Sequence, residues 1–247
     1  MIGLIGSGNM ARALARGWGE PVLCTDVFQE RAEALARETG GEALSGNGEL
    51  ADRADVVILC HKPAQLDEVA GQVGGRAKGI ISILGATPLR KVKEAYGDTP
   101  AVRMLPSTPV EVREGVTVHA RDPDADRDLE QRALELFDKV GRVVTIDDSQ
   151  MDVAMGLMSC APAYLALVAE AQVDAGVRHG MPADLAAEMV VQTMAGTAKL
   201  IQARDHDTLA ARREVTSPGG STAKGLAALE RQNVRKAFMD AMEAIQR

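Results

Sequence analysis

Along the first 148 residues apolar positions alternate between short continuous runs and helical stripes; beyond that point only the helical stripes remain. Met1 to Ile5 is a short apolar run, followed at once by Gly6, Ser7, Gly8, Asn9, Met10 and Ala11, and then by an amphipathic pattern to about Trp18. That order predicts a strand, a tight glycine turn and a helix. Further runs predict strands at Pro21 to Thr25, Val56 to Cys60, Ile80 to Leu84 and Val102 to Leu105, with edge strands at Val116 to Val118 and Val143 to Ile146. Helical patterns separate most of them. The fold class is therefore α/β, a doubly wound parallel sheet whose ligands sit at the carboxyl ends of the strands. The loops at those ends are Gly6 to Met10, Asp26 to Phe28, His61 to Gln65, Gly85 to Pro88, and Pro106 to Pro109.

After about Asp148 no segment alternates as a half-buried strand would. Alanine is frequent there, and eight of the eleven methionines lie between Met151 and Met242. This predicts two domains, residues 1–148 and an all-helical 149–247. The first helix of the second, from about Gln150 to Arg178 with a disturbance at Pro162, is apolar around nearly its whole circumference. Its uncharged stretch, Val153 to Ala169, is shorter than the about 20 residues a membrane span needs and contains Gly156, Ser159, Cys160 and Pro162. A buried or interface helix accounts for it better. One small domain can hardly cover such a helix, which points to a homodimer through the helical domain.

The amino-terminal turn fits the Rossmann dinucleotide fingerprint: Gly6 makes the turn, Gly8 lets the backbone approach a pyrophosphate, and Ala11 permits close helix packing. The second strand ends in Asp26, twenty residues beyond Gly6, where an acidic side chain accepts hydrogen bonds from an adenosine ribose. Asp26 could equally be the N-cap of a helix over Glu30 to Glu38, and the two roles are compatible. Near the other end lies Val215, Thr216, Ser217, Pro218, Gly219, Gly220, Ser221, Thr222. Pro218 pushes Ser217 towards extended backbone, while the two glycines can leave their amides uncovered before an apolar helix through Leu226, Ala227 and Leu229. Free amides, hydroxyls and a helix dipole at one point make a carboxylate pocket without any arginine. The plainer alternative is a capped turn, with Ser217 as N-cap and Pro218 first in the helix.

Composition narrows the partners. A chain of 247 residues with 46% hydrophobic side chains can bury a real core. A net charge of −7 and 2% aromatic residues remove the basic patch and stacking platform of a nucleic-acid binder, leaving a small-molecule ligand. Cys24, Cys60 and Cys160 are too scattered for a disulfide framework and read as buried thiols. His61, His119, His179 and His206 have no metal-ligand spacing, so no metal is expected. The chain opens inside an apolar strand with no basic leader, which predicts a cytoplasmic location.

Several ordered segments carry a family likeness: Ile5 to Ala11; Lys62 with Pro63; Ile81, Ser82, Ile83; Thr108 with Pro109; Arg113, Glu114, Gly115 and Thr117; Pro162, Ala163, Tyr164; Asp174 to Val177; Gln192 with Thr193; and Ser217 to Thr222. In these the chain resembles the pyrroline-5-carboxylate reductases, over almost its full length. The resemblance implies a Rossmann domain holding a nicotinamide cofactor, a swapped helical dimerisation domain, and an active site between them that reduces 1-pyrroline-5-carboxylate to L-proline, the last step of proline biosynthesis. It places the substrate carboxylate on Ser217, Gly219, Gly220 and Ser221. Thr222 would stand near the ring nitrogen as the polar group of catalysis. Cofactor contacts fall on Gly6, Ser7, Gly8, Asn9, Met10 and Asp26, and on Cys60, Lys62 and Ser107. Lys62 would face ribose or phosphate, although a Lys-Pro step after a strand is also a common solvated turn.

Departures from the family's usual pattern cluster in loops. Ser107 stands for asparagine, Cys60-His61 for Ala-Val, Met158 to Ala161 for Ser-Gly-Ser-Gly, and Gly85-Ala86 for Ala-Gly. Reduction of another cyclic imino acid, or a non-catalytic nucleotide-binding role, are the alternatives these leave open. Many family members use a small polar residue and an arginine after the second strand to take NADPH. Asp26 would repel a 2′-phosphate, so NADH is favoured here, with NADPH possible through Arg31.

Overall fold

The computed structural model describes residues 1–246, which form two compact units divided after Pro162. In the first, eight strands make one sheet: β1 (Ile2–Ile5), β2 (Val22–Thr25), β3 (Glu42–Ala43), β4 (Val56–Leu59), β5 (Ile80–Ser82), β6 (Ala101–Pro106), β7 (Gly115–Arg121) and β8 (Gly141–Asp147). Their spatial order is β3-β2-β1-β4-β5-β6-β7-β8. The sheet is parallel except between β6 and β7, where Met104 opposes His119. β7 therefore lies inside the sheet, paired on its other side with β8, and only β8 is the edge strand the sequence pattern suggested for both. The two-residue β3 has too few positions for any periodicity to reveal.

Apolar runs form the central strands because both faces are covered. Along β4, Val56 and Ile58 join one core cluster and Val57 and Leu59 the other, all four buried. The first cluster is closed by α1 (Asn9–Trp18), α2 (Gln29–Thr39) and α6 (Arg127–Asp138), where Trp18 meets Phe137 edge to face at 5.9 Å and donates from Nε1 to the Leu136 carbonyl at 3.0 Å. α3 (Asn47–Arg53), α4 (Leu66–Val73) and α5 (Leu89–Tyr96) close the second. Gly17 lets α1 lie on the turn at Thr108–Val112: a Cβ there would stand 2.1 Å from the Val110 carbonyl oxygen.

The change to an all-helical pattern at Asp148 and the division of the units do not coincide. α7 (Met151–Ala154) and a π-helical turn (Met155–Ser159) still belong to the first unit. Met151 is fully buried with Leu105, Val118 and Ala120, and the buried Arg103 donates to Asp148 at 2.6 Å. The disturbance expected at Pro162 falls just before it, in the π turn that closes with Cys160 N–H donating to the Met155 carbonyl. A proline has no N–H to return to the carbonyl four residues back, so the preceding turn widens.

α8 (Ala161–Arg178) runs into the second unit, which continues as α9 (Ala183–Gln202), α10 (Thr208–Glu214), α11 (Ser221–Arg231) and α12 (Val234–Ile245). The helical run Asp148–Arg178 is 31 residues long and holds an 18-residue window of mean hydropathy 1.5, so by length and composition alone it is long and apolar enough to cross a membrane. All three cysteines are free; Cys24 is buried, whereas Cys60 and Cys160 are only half-buried, because each sits at a strand or helix end.

Candidate functional site

At the carboxyl ends of β1, β2 and β4 the first unit holds a cleft of about 780 Å³. It lies where strand order reverses around β1, the position at which open α/β sheets receive ligands. Gly6 and Gly8, Asp26 to Phe28, and Cys60 to Lys62 line it, as the sequence places them. Gly6 has φ +98°, and a Cβ there would sit 2.8 Å from the Cys60 carbonyl carbon and oxygen, so only glycine turns this corner. Gly8 caps α1, has open space where a Cβ would stand, and the first turn of α1 carries no acidic residue. The uncompensated positive end of the helix and its unpaired first amides thus face an approachable backbone. That is a fit for the diphosphate of a dinucleotide.

The other residues of the glycine turn have different places. Ser7 is buried, its hydroxyl donating to the Thr25 carbonyl at 3.1 Å and its amide to Asp26 Oδ2 at 2.8 Å. Asn9 is exposed at the start of α1, and Met10 packs on the core. Asp26 is not a helix cap: Phe28 caps α2, and Asp26 Oδ1 accepts from the Phe28 amide at 3.0 Å instead. Ser107 lies outside the cleft lining. It is buried between β6 and β7, with its amide donating to the Val116 carbonyl and its hydroxyl accepting from the Val116 amide, both at 2.9 Å.

Burial pushes the Cys60 thiol well above its ordinary range, so it stays protonated and inert. Desolvation lowers the pKa of His61, against a smaller rise from the Lys62 carbonyl, which Nδ1 faces at 2.9 Å. The neutral ring therefore carries its proton on Nδ1 and donates to that carbonyl. The Lys62 amide donates to Gln65 Oε1 at 3.2 Å, while its exposed side chain reaches the cleft.

One wall has no counterpart in the sequence reading. Ser45 to Gly48 and Gln72 line the cleft opposite the glycine turn, with the Thr25 hydroxyl bonded to Asn47 Oδ1 at 2.6 Å and Asn47 Nδ2 donating to Gln72. The Gly46-Asn47-Gly48 step that caps and opens α3 is the signal that could have marked it. Exposed Phe28 also lines the cleft, with the Arg31 guanidinium 4.6 Å over its ring.

In the second unit, Ser217 to Gly220 is a type II turn. Gly220 N–H donates to the Ser217 carbonyl at 3.1 Å, Pro218 takes the second position and Gly219 the third at φ +71°. The cap of α11 is Gly220, not Ser217, and Pro218 precedes the helix instead of opening it. At Gly220 a Cβ would stand 2.5 Å from Ser217 Oγ, so a larger residue there would turn that exposed hydroxyl aside. Thr216 is held back on α10, its hydroxyl donating to the Arg212 carbonyl at 2.6 Å. Exposed Ser221 and Thr222 form the first turn of α11, where amides have no intrahelical acceptor and no acidic side chain competes. An anion can be held there by main-chain donors alone.

Fold and cleft together define a dinucleotide-binding protein of the Rossmann type. A family profile described as pyrroline-5-carboxylate reductase dimerisation matches residues 148–247, and one described as coenzyme F420-dependent NADP oxidoreductase matches residues 1–85. The pyrroline-5-carboxylate reductase of Thermus thermophilus is 34% identical, covering 100% of this chain and 96% of its own, and that of Synechocystis is 33% identical with the same coverages. The structure of Plasmodium falciparum pyrroline carboxylate reductase with NADP bound superposes with a TM-score of 0.89 at 28% identity, over 99% of this chain and 94% of that one. The chain belongs to the pyrroline-5-carboxylate reductase family. It is an enzyme that uses a nicotinamide dinucleotide and a small-molecule substrate, and its helical region is of the kind that assembles copies of itself.

Proposed function

We propose that this protein reduces 1-pyrroline-5-carboxylate to L-proline as the closing step of proline biosynthesis. The observation that carries the reading is the turn at Ser217 to Gly220 opening onto α11, which presents amides for a carboxylate. Ser217, Gly219, Gly220 and Ser221 hold that carboxylate, and Thr222 supplies the polar group beside the ring nitrogen. A reduced nicotinamide, when bound, supplies the hydride for the imine carbon. Gly6, Gly8 and the start of α1 receive its diphosphate, with Ser7, Asn9 and Met10 shaping that turn. Asp26 faces the adenosine ribose, Cys60 and Lys62 form the opposite lip, and Ser107 braces the strand end behind it. An imine that arrives protonated is already an electrophile, so the protein's task is orientation and exclusion of water.

Purified protein given 1-pyrroline-5-carboxylate and NADH or NADPH is expected to consume absorbance at the reduced nicotinamide band. No turnover with either cofactor by folded protein overturns the reading. NADH is the favoured cofactor because the Asp26 carboxylate lies where a 2′-phosphate would come, and Asp26→Ser is expected to raise NADPH use relative to NADH. An unchanged ratio sinks that assignment.

The assembly is a homodimer or a higher homo-oligomer through the helical region, which sedimentation would measure. The reading includes a cytoplasmic location, supported by three free thiols and by dependence on a reduced nicotinamide pool. A net charge of −7 favours small molecules over nucleic acid or membrane as partners.

A further inference from the structure

Three bonds fasten the glycine turn to the end of β2. Gly6 N–H donates to the Thr25 carbonyl at 2.9 Å, the Ser7 hydroxyl donates to the same carbonyl at 3.1 Å, and Ser7 N–H donates to Asp26 Oδ2 at 2.8 Å. Two of the three end on main chain. The third ends on a side chain whose other oxygen accepts from Phe28 N–H at 3.0 Å. The Asp26 carboxylate thus joins the turn after β1 to the loop after β2, and both line the cleft. Ser7 is 1% exposed, so without this acceptor its amide would be left without a partner and with little access to water. Each carboxylate oxygen keeps a further lone pair, so the two amide bonds give Asp26 a task within the protein and still leave room for a sugar hydroxyl.

We infer that Asp26 is a positioning residue: its carboxylate holds the Ser7 amide and so sets the shape of the turn that receives the diphosphate, whatever bond it also makes to the sugar. A charged acceptor makes a stronger bond to an amide N–H than a neutral one, and a turn held in its binding geometry does not have to be ordered again when the ligand arrives. Changing Asp26 then has two separable effects. Loss of charge shifts the balance between NADH and NADPH, and loss of the strap weakens both.

The inference rests on the cleft being the dinucleotide site, and its test separates the two. The probe is a reduced dinucleotide whose adenosine carries a 2′,3′-dideoxyribose, offering no sugar hydroxyl to Asp26. Fluorescence titration of wild type, Asp26→Asn and Asp26→Ala should show the alanine variant binding this probe roughly tenfold more weakly, the loss of one hydrogen bond to a charged group. Asparagine retains one acceptor oxygen for two amides and should fall between. Equal affinity of all three proteins for the dideoxy probe overturns the strap and leaves Asp26 a ribose reader. A ligand-free measurement stands beside it: hydrogen exchange at the Ser7 amide should quicken in Asp26→Ala, with the melting temperature as a control for global opening. If wild type binds no dinucleotide but the exchange still quickens, the cofactor reading fails and the strap stands; an unchanged exchange rate sinks the strap itself.

Discussion

The two units bury their apolar residues in opposite ways. Residues 1–162 supply nearly the whole core, packed on both faces of the sheet, whereas among the described residues from 163 onward only Ala186 and Ala211 are buried apolar side chains. Leu165, Leu167, Met189, Val191, Phe238 and Met239 stand exposed on the helices. An apolar surface of that extent is an unfinished interface, and the family to which residues 148–247 belong is defined by dimerisation. The first unit is a fold complete in one chain. The second carries the apolar helices of a family that assembles copies of itself.

The largest test of that contrast is Leu167→Asp with Val191→Asp, at positions 64% and 59% exposed. Charges on a face that pairs with another copy should dissociate the assembly outright in sedimentation velocity, while dinucleotide affinity of the first unit persists. An unaltered sedimentation coefficient means that this face is not the paired one. Gly17→Ala probes the self-sufficient unit: its Cβ at 2.1 Å from a backbone oxygen cannot be relieved by a rotamer, and about 3 kcal/mol of stability should be lost in denaturant unfolding. Gly8→Ala, in open space, should leave stability nearly unchanged and weaken cofactor binding instead.

Gly220→Ala moves the comparison to function. A Cβ 2.5 Å from Ser217 Oγ should turn that hydroxyl away from the substrate carboxylate and raise KM for 1-pyrroline-5-carboxylate roughly tenfold, with the dissociation constant for NADH unaffected. A change in NADH affinity of the same size would break the division of labour between the units. The smallest effect is expected at Ala86, which holds φ +51°, a left-handed conformation that favours glycine. Ala86→Gly should stabilise the first unit by up to about 1 kcal/mol, visible as a higher Tm; a lower Tm would show that the left-handed strain is not there.

The parallel strands are legible in the sequence because a strand covered on both faces must be apolar at every position, as Val56 to Leu59 are. β7 is harder to place: its run looks like an edge, and only the antiparallel pairing of Met104 with His119 puts it inside the sheet. In the cleft the glycine turn and Asp26 declare themselves, since a turn at φ +98° against a carbonyl admits no other residue. Asn47 and Gln72 do not, because a polar side chain at either end of a helix looks the same in sequence whether it faces solvent or a cleft. Ser107 shows the converse. The family resemblance implies a cofactor contact for it, and its hydrogen bonds to Val116 are visible only once β7 is folded back on β6.

Local chemistry settled what could be settled locally: the strand and helix periods, the glycine turn before α1, and a proline-glycine turn ahead of α11 are all properties of neighbouring residues. The amino-acid order alone thereby determined a dinucleotide fold joined to a helical partner domain, and the family. Only the tertiary structure decided that α7 belongs with the sheet, that Ser107 bonds to Val116, and that Asp26 carries the Ser7 amide. Each of those depends on which group lies within about 3 Å across a gap of many residues, and a hydrogen bond or a steric clash is decided at that distance and not by the pattern along the chain.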